Sequence, residues 1–283
     1  MKAFLGMGLL GQNFVRAMIN RGEEVRVWNR TTSKATEMEE YGARAFADVA
    51  EAVRNADRVH LAVKDDAAVD EVLEKAAAGF MPGVIIIDHT TTSAQGAVQR
   101  TADWKARGVT YLHAPVFMGP VNALESSGFM LVSGDQALIA RLEPELSKLT
   151  GKLLNFGTEP GKAAGMKLIG NLFLVTFTAG IADTLSLAKA LHIPVSDICT
   201  LFDSWNPGTS LPARLKRVAS GNYDQPSWEL NMARKDTGLF LEAAREGGTK
   251  LAVIPAIAAE MDRWIEKGNG KKDWSVIGKD AAS

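Results

Sequence analysis

Short apolar runs alternate with amphipathic segments through the first half of the chain. The runs lie at 2–5, 24–28, 57–63, 84–88, 110–112, 128–132 and 152–155, and the helical patterns at 9–21, 32–40, 47–54, 66–78, 93–107 and 135–147. Alternation of strands and helices predicts a parallel, doubly wound sheet. The continuous β-branched run Val84–Ile87 is typical of a strand that is buried on both faces.

The pattern changes after residue 157, where the strand-like runs end. Thr158 is placed to cap a helix, and Pro160 falls in its first turn. Helical patterns then follow at about 159–191, 195–203, 230–246 and 254–267. We therefore predict an α/β domain over residues 1–157 and an all-α domain over residues 158–283.

The first apolar run leads directly into a G-x-G-x-x-G motif. Glycines permit a tight turn and a close approach of the backbone to a pyrophosphate, which the free amides and the dipole of the following helix attract. The motif stands after a predicted strand and before a predicted helix, which is the context that it requires. We therefore predict that a dinucleotide binds to Gly6, Met7, Gly8, Leu9, Leu10 and Gly11.

The end of the second predicted strand bears on the choice of cofactor. An NAD site usually carries a carboxylate there for the ribose 2′-hydroxyl, but this strand ends in Asn29, Arg30 and Thr31. Arg30 is suited to pair with a 2′-phosphate, Thr31 to hydrogen-bond it, and Lys34 to add charge. We predict NADP as the cofactor; the alternative is that Arg30 is a solvated surface residue.

Composition excludes several classes of partner. The 283 residues carry a net charge of -1, whereas nucleic acids and anionic membranes favour a basic surplus. The longest apolar stretch, Leu168–Ile181, is interrupted by polar residues and glycines, and we expect it not to span a membrane. The four histidines lack metal-ligand spacing and Cys199 is the single cysteine, so we expect no metal, no disulfide and a cytoplasmic location.

A long apolar segment contains the best candidate for acid–base chemistry. Almost every residue of 163–181 is apolar or small, which predicts a buried helix. Lys167 and Asn171 are four residues apart and therefore share one face. Burial lowers the pKa of an ammonium, so that Lys167 can exchange a proton near neutral pH. The alternative is a lysine that reaches the surface beside a satisfied asparagine.

Six short stretches, spread in order over nearly the whole chain, carry a family resemblance: Phe4–Gly11, Val27–Thr31, Asp88–Thr92, Ala114–Val116, Gly161–Asn171 and Lys235–Asp236. The chain resembles the β-hydroxyacid dehydrogenases, which include 3-hydroxyisobutyrate dehydrogenase, glyoxylate and succinic semialdehyde reductases, and 6-phosphogluconate dehydrogenase. The resemblance implies a Rossmann domain with a doubly wound parallel sheet, followed by an all-α domain. It also implies that Lys167 is the catalytic lysine and that Asn171 helps to position the substrate.

The resemblance assigns further residues to the cofactor and the substrate. Val63, Lys64 and Thr91 are expected near the nicotinamide half of the cofactor. Lys235 is expected to close over the cofactor from the helical domain, and Asp236 is assigned to the substrate site. Without the family, Lys235 and Asp236 would read as an exposed charged pair on an amphipathic helix.

One stretch departs from the family pattern. The substrate-binding strand of the family usually reads D-x-P-V-S-G-G, and here Phe117 stands in place of the serine and Met118 in place of a glycine, followed by Gly119. We assign these three residues to the substrate site, where the change removes a hydroxyl and adds apolar bulk. Imine reductases, a related family, have a similar apolar strand but commonly lack the lysine. The alternative is that Phe117 and Met118 are core residues.

These observations predict an NADP(H)-dependent oxidoreductase with its substrate in a cleft between the two domains. The substrate would be a small 3-hydroxyacid or related alcohol and its carbonyl partner, of the semialdehyde or glyoxylate type. One alternative is a reductase of imines or of apolar aldehydes and ketones, and another is a nucleotide-binding scaffold without turnover. The long apolar helix predicts a homodimer or homotetramer.

Overall fold

The computed structural model describes residues 1–281 of the chain. The chain folds into two compact units, one of Met1–Leu172 and a second that begins at Phe173. The predicted boundary at residue 157 follows the last strand, and the division of the units falls further along, within a helix.

The first unit contains all the strands that the described residues form. The strands are β1 (Lys2–Leu5), β2 (Val25–Trp28), β3 (Arg44–Phe46), β4 (Arg58–Leu61), β5 (Ile85–Asp88), β6 (Thr110–His113), β7 (Val116–Phe117), β8 (Phe129–Val132) and β9 (Lys152–Asn155). Its helices are α1 (Leu9–Asn20), α2 (Thr32–Thr36), α3 (Val49–Val53), α4 (Asp66–Ala76), α5 (Ala94–Ala106), α6 (Pro120–Glu125) and α7 (Gln136–Leu146), and it includes the start of α8 (Lys162–Ala190).

Six parallel strands form the main sheet in the order β3-β2-β1-β4-β5-β6. Alternate residues of a strand serve opposite faces: Phe4 and Ile87 join one hydrophobic cluster, whereas Leu5 and Ile86 join a second. Both faces of the sheet are therefore covered, which confirms the doubly wound fold.

The last strands form a separate sheet, which corrects the expectation of one parallel sheet. In the order β7-β8-β9, β7 pairs antiparallel with β8, and β8 pairs parallel with β9. The chain leaves the main sheet after its edge strand β6, where Pro115 has no amide hydrogen to continue the ladder. The sequence pattern missed β3, β7 and α6 because these elements are only three, two and six residues long.

The second unit is helical, as predicted, over the residues that the structure describes. After the rest of α8 come α9 (Val195–Ser204), α10 (Leu211–Ser220), α11 (Leu230–Glu246) and α12 (Ile254–Trp264), with short 3-10 and π segments between and after them. The Asp183 carboxylate of α8 accepts hydrogen bonds from the amides of Ala252, Val253 and Ile254 and so caps the start of α12.

The long helix α8 is not buried in the single chain, contrary to our expectation. Leu172 is 69% exposed, Val175 68% and Ile169 61%. At 29 residues, α8 is long and apolar enough to cross a membrane by length and composition, a test that core helices of soluble proteins also pass. The apolar pattern predicted that this helix is covered, but the pattern does not tell what covers it.

Candidate active site

The glycine turn after β1 is closed by two backbone contacts that only glycine permits. Gly6 has a φ of +101°, and a Cβ there would lie 2.3 Å from the Ala62 carbonyl oxygen. A Cβ on Gly11 would lie 1.9 Å from the Gly6 carbonyl oxygen. In contrast, a Cβ on Gly8 would meet no described atom within 4 Å, so this side of the turn is open to a ligand.

Gly8 is also the residue that precedes α1, and it has no side chain with which to cap the helix. The amides of the first turn of α1 are therefore available to an anion. Asn29 fixes this turn against the end of β2: its Oδ1 accepts from the Met7 amide at 2.9 Å, and its Nδ2 donates to the Thr31 carbonyl at 2.9 Å. The cradle fits the diphosphate of a dinucleotide.

A cavity of about 760 Å³ opens over the glycine turn. Met7 does not line it, because its side chain is buried in the core. Most residues that we predicted to bind the cofactor or the substrate or to act in catalysis do line it: Gly6, Gly8, Leu9, Leu10, Gly11, Asn29, Arg30, Thr31, Lys34, Val63, Lys64, Thr91, Met118 and Lys167.

Basic side chains dominate the part of the cavity that follows β2. Arg30 and Lys34 are exposed there. Sequence reasoning missed Glu71 and Lys75, which lie one turn apart on α4 and also line the cavity. Lys75 Nζ lies 2.6 Å from Glu71 Oε1, and the i,i+4 spacing of the two residues was the signal that could have found this ion pair. The hydrogen bond from Lys75 and the charges of Lys75 and Arg30 lower the pKa of Glu71. Glu71, which lines the cavity together with Arg30, is thus already paired.

Lys167 is buried, with 8% of its surface exposed, and it lines the same cavity as the glycine turn. Its Nζ lies 4.2 Å from the centroid of the Phe117 ring. Among residues 1–281, no carboxylate oxygen lies within 4 Å of this nitrogen. Burial lowers the pKa of Lys167, as expected for an ammonium without an ionic partner.

Phe117 reaches Lys167 because the neighbouring helix residue is a glycine. A Cβ on Gly170 would lie 2.2 Å from Cζ of Phe117, so the ring packs where α8 has no side chain. The ring forms an aromatic wall beside the amine, although it is not among the residues that line the cavity. Gly119 is exposed, and its amide donates to Asn122 Oδ1 at 2.9 Å at the start of α6.

The other predicted site residues lie outside the cavity lining. Asn171 is half-buried on α8, one turn after Lys167. Lys235 and Asp236 belong to α11 of the second unit, where Lys235 Nζ and Asp236 Oδ1 are 2.9 Å apart. Their roles stay predictions.

Sequence reasoning also missed two residues that line the cavity directly after β5, His89 and Thr90. Their position at the carboxyl end of a parallel strand was the signal that could have found them. His89 Nδ1 donates to the Ala114 carbonyl at 2.9 Å, and its Nε2 faces His60 Nδ1 at 3.0 Å. Burial lowers the pKa of His89 to about 4, so the ring is neutral near pH 7. His60 is fully buried, and this contact with His89 is its hydrogen bond within the core.

The histidines of the described chain do not form a metal centre. Residues 1–281 contain no group of three or more histidine, cysteine, aspartate or glutamate side chains placed to hold a metal ion.

A doubly wound sheet with an open glycine cradle and a buried lysine in one cavity defines a pyridine nucleotide-dependent oxidoreductase. Residues 2–157 match the family model described as the NAD binding domain of 6-phosphogluconate dehydrogenase. The chain belongs to this family, the β-hydroxyacid dehydrogenases, as its motifs predicted.

Relatives and solved structures agree with this assignment. The chain is 25% identical to 3-sulfolactaldehyde reductase of Escherichia coli (strain K12), over 97% of this chain and 93% of the relative. It is 25% identical to a probable 3-hydroxyisobutyrate dehydrogenase of Mycobacterium bovis (strain ATCC BAA-935 / AF2122/97), over 97% and 95%. An imine reductase from Myxococcus stipitatus in complex with NADP+ shares the fold, with a TM-score of 0.90 and 21% identity over 98% of both chains.

Proposed function

We propose that this protein is an NADP(H)-dependent reductase that interconverts a small 3-hydroxyacid, or a related alcohol, with its semialdehyde- or glyoxylate-type carbonyl. The observation that carries the proposal is the position of Lys167, a buried amine that lines the cavity of the glycine cradle and has no carboxylate partner among residues 1–281. Such an amine is suited to acid–base work beside a bound nicotinamide.

In the direction of reduction, Lys167 donates a proton to the developing alkoxide, and in the reverse direction it accepts the proton of the hydroxyl. When bound, the nicotinamide supplies or accepts the hydride. Asn171, one turn further along α8, positions the substrate oxygen. For Lys235 and Asp236 of α11, we propose the cofactor and substrate roles that the family resemblance implies.

The cofactor side of the proposal rests on charge and backbone geometry. The first-turn amides of α1 receive the diphosphate, and Arg30 with Lys34 and Thr31 receives a 2′-phosphate. Glu71 does not oppose this, because Lys75 neutralises it. NADPH and NADH, compared at limiting concentration, test this step; a preference for NADH contradicts it.

A panel of substrates tests the reaction. NADPH absorbance is followed against glyoxylate, succinic semialdehyde, an uncharged aldehyde and a cyclic imine. We expect oxidation with the two acids. Stoichiometric binding of NADPH without oxidation across the panel contradicts the proposal and favours a nucleotide-binding scaffold.

The second candidate function is reduction of imines or of apolar aldehydes and ketones. It is favoured by the aromatic wall: Phe117 covers Lys167 and packs on Gly170, while Met118 lines the cavity. A carboxylate beside Phe117 would find no hydroxyl on that side chain. Activity confined to the uncharged aldehyde or the cyclic imine would favour this candidate.

Association of subunits and location complete the proposal. The exposed apolar residues of α8 form a surface that a second copy of the chain would cover, as a homodimer or homotetramer. A monomeric mass in solution would contradict this part. We expect the protein to act in the cytoplasm, without nucleic acid, membrane or metal partners.

A further inference from the structure

Arg100 is a buried arginine that the proposed chemistry does not use. It lies on α5 with 5% of its surface exposed. Its guanidinium donates to Asp66 Oδ1 at 2.5 Å, to Asp70 Oδ1 at 3.2 Å and to Tyr111 Oη at 3.3 Å. Because the two aspartates belong to α4 and the tyrosine to β6, this side chain joins three elements.

Tyr111 extends the network to the end of β5. Its hydroxyl donates to Asp88 Oδ2 at 2.6 Å, and Asp88 Oδ1 accepts from the Thr90 amide at 2.8 Å. Burial and the charge of Asp88 raise the pKa of Tyr111 well above its usual range, so the hydroxyl keeps the proton that it donates. Asp88 itself is fully buried.

Both ends of this network reach loops that line the cofactor cavity. At one end, Asp66 accepts hydrogen bonds from the Ser93 amide at 2.9 Å and from its hydroxyl at 3.2 Å, which ties the start of α4 to the start of α5. At the other end, Thr90 Oγ1 accepts from the Val63 amide at 3.1 Å. Thr90 and Val63 both line the cavity.

The packing around Asp66 leaves little freedom for another arrangement. A Cβ on Gly96 would lie 2.1 Å from Asp66 Oδ1, so α5 approaches this carboxylate as closely as its backbone permits. Arg100, Tyr111 and Asp88 form the buried part of this network, whereas Asp66 is half-buried and Asp70 is exposed. A network in which each buried polar group has a partner favours a single geometry, and removal of one partner leaves an unpaired buried group.

We infer that Arg100 and Tyr111 are positioning residues that hold the loops 62–65 and 89–93 at a fixed separation for the nicotinamide half of the cofactor. They do not line the cavity themselves and act through Val63 and Thr90. The inference requires a nicotinamide dinucleotide in the cavity and is independent of the substrate.

Tyr111→Phe tests the inference, because it removes only the hydroxyl that links Arg100 to Asp88. The affinity for NADPH is compared with that for 2′,5′-ADP, which lacks the nicotinamide, by titration calorimetry. We expect the NADPH dissociation constant to rise about tenfold and that of 2′,5′-ADP to stay within about twofold. Amide hydrogen exchange without cofactor should accelerate at Val63 and Thr90. Arg100→Gln, at the other end of the network, should have the same effects on the two dissociation constants and on amide exchange.

Arg107→Gln is the matched control. Arg107 pairs with Glu74 and thus also joins the end of α5 to α4, but both residues lie outside the cofactor cavity. It should leave both affinities and the exchange of the two loops unchanged. Unchanged NADPH affinity and exchange in Tyr111→Phe would overturn the inference. So would an equal loss of affinity for 2′,5′-ADP, or the same losses in Arg107→Gln, because each would indicate a general structural role.

Discussion

The residues of the cofactor cavity fall into two groups that are built differently. Around the glycine turn, the site consists of backbone geometry and exposed cations: Gly6 and Gly11 close the turn, Gly8 leaves it open, and Arg30 stands in solvent. Around Lys167, it consists of a buried charge beside the Phe117 ring, without an ionic partner among residues 1–281.

This difference separates the tasks of the two groups. Backbone amides and solvated cations bind an anion without any change of protonation, and each such contact contributes modestly. A buried amine is costly to charge and therefore exchanges a proton readily. Substitutions in the first group should change affinity, and substitutions in the second should change turnover and its pH dependence.

The largest effect is expected from Lys167→Met. Loss of the proton donor should lower turnover about 10²- to 10⁴-fold, while the dissociation constant for NADPH stays unchanged. Steady-state rates and fluorescence titration measure the two quantities. Lys162→Met, on the exposed side of the same helix, is the control and should behave as the parent. Unchanged turnover in Lys167→Met would rule out the mechanism.

Gly8→Ala changes a residue of the glycine turn and should affect the affinity for the cofactor alone. The added methyl meets no protein atom but stands where the diphosphate approaches, so the NADPH dissociation constant should rise about tenfold to a hundredfold with an unchanged melting temperature. Gly11→Ala should lower the melting temperature as well, because its methyl would meet the Gly6 carbonyl. Parent-like NADPH binding by Gly8→Ala would show that the cradle does not hold the diphosphate.

Arg30→Ala should reduce the proposed preference for NADPH over NADH about tenfold, since under the proposed function it removes one charge-assisted contact with the 2′-phosphate. The ratio of kcat/KM for the two cofactors measures the preference. Arg141→Ala, an exposed arginine on α7 outside the cavity, controls for the loss of one positive charge. An equal change in both variants would show that Arg30 acts through net charge alone.

Phe117→Leu should give the smallest effect, a shift of the pH profile. Under the proposed mechanism, reduction needs the ammonium form of Lys167, so its rate should be full at low pH and fall as pH rises through the lowered pKa. The ring face favours the ammonium, and its loss should move this fall to lower pH by up to about one pH unit. Phe129→Leu, on the partner strand β8, is the control. An unmoved profile would show that the aromatic contact does not tune the amine.

The sequence predicted most of the framework because the signals were local. Strand and helix periodicity located five of the six strands of the main sheet, and the glycine spacing located the turn over residues 6–11. Strands β3 and β7 were too short to leave a pattern. The separate three-stranded sheet depends on how the chain turns after Pro115, which no periodicity records.

The chemical part of the site was predicted only in part. The apolar surroundings of Lys167 indicated a buried amine, and the structure agrees. The contact between Phe117 and Gly170 joins residues far apart in the chain, so spacing gave no sign that the ring would face the amine. The same apolar pattern predicted a buried helix over residues 163–181, although residues 172–178 of it are exposed in one copy of the chain.

Because α8 is continuous, we expect the activity of the protein to depend on its own concentration. One continuous helix carries Lys167 in its second turn and exposed apolar residues from Leu168 onward. We expect a second copy of the chain that covers those residues to hold the helix, and with it Lys167, more rigidly. Specific activity should therefore decline on dilution at protein concentrations at which the main sheet is still folded.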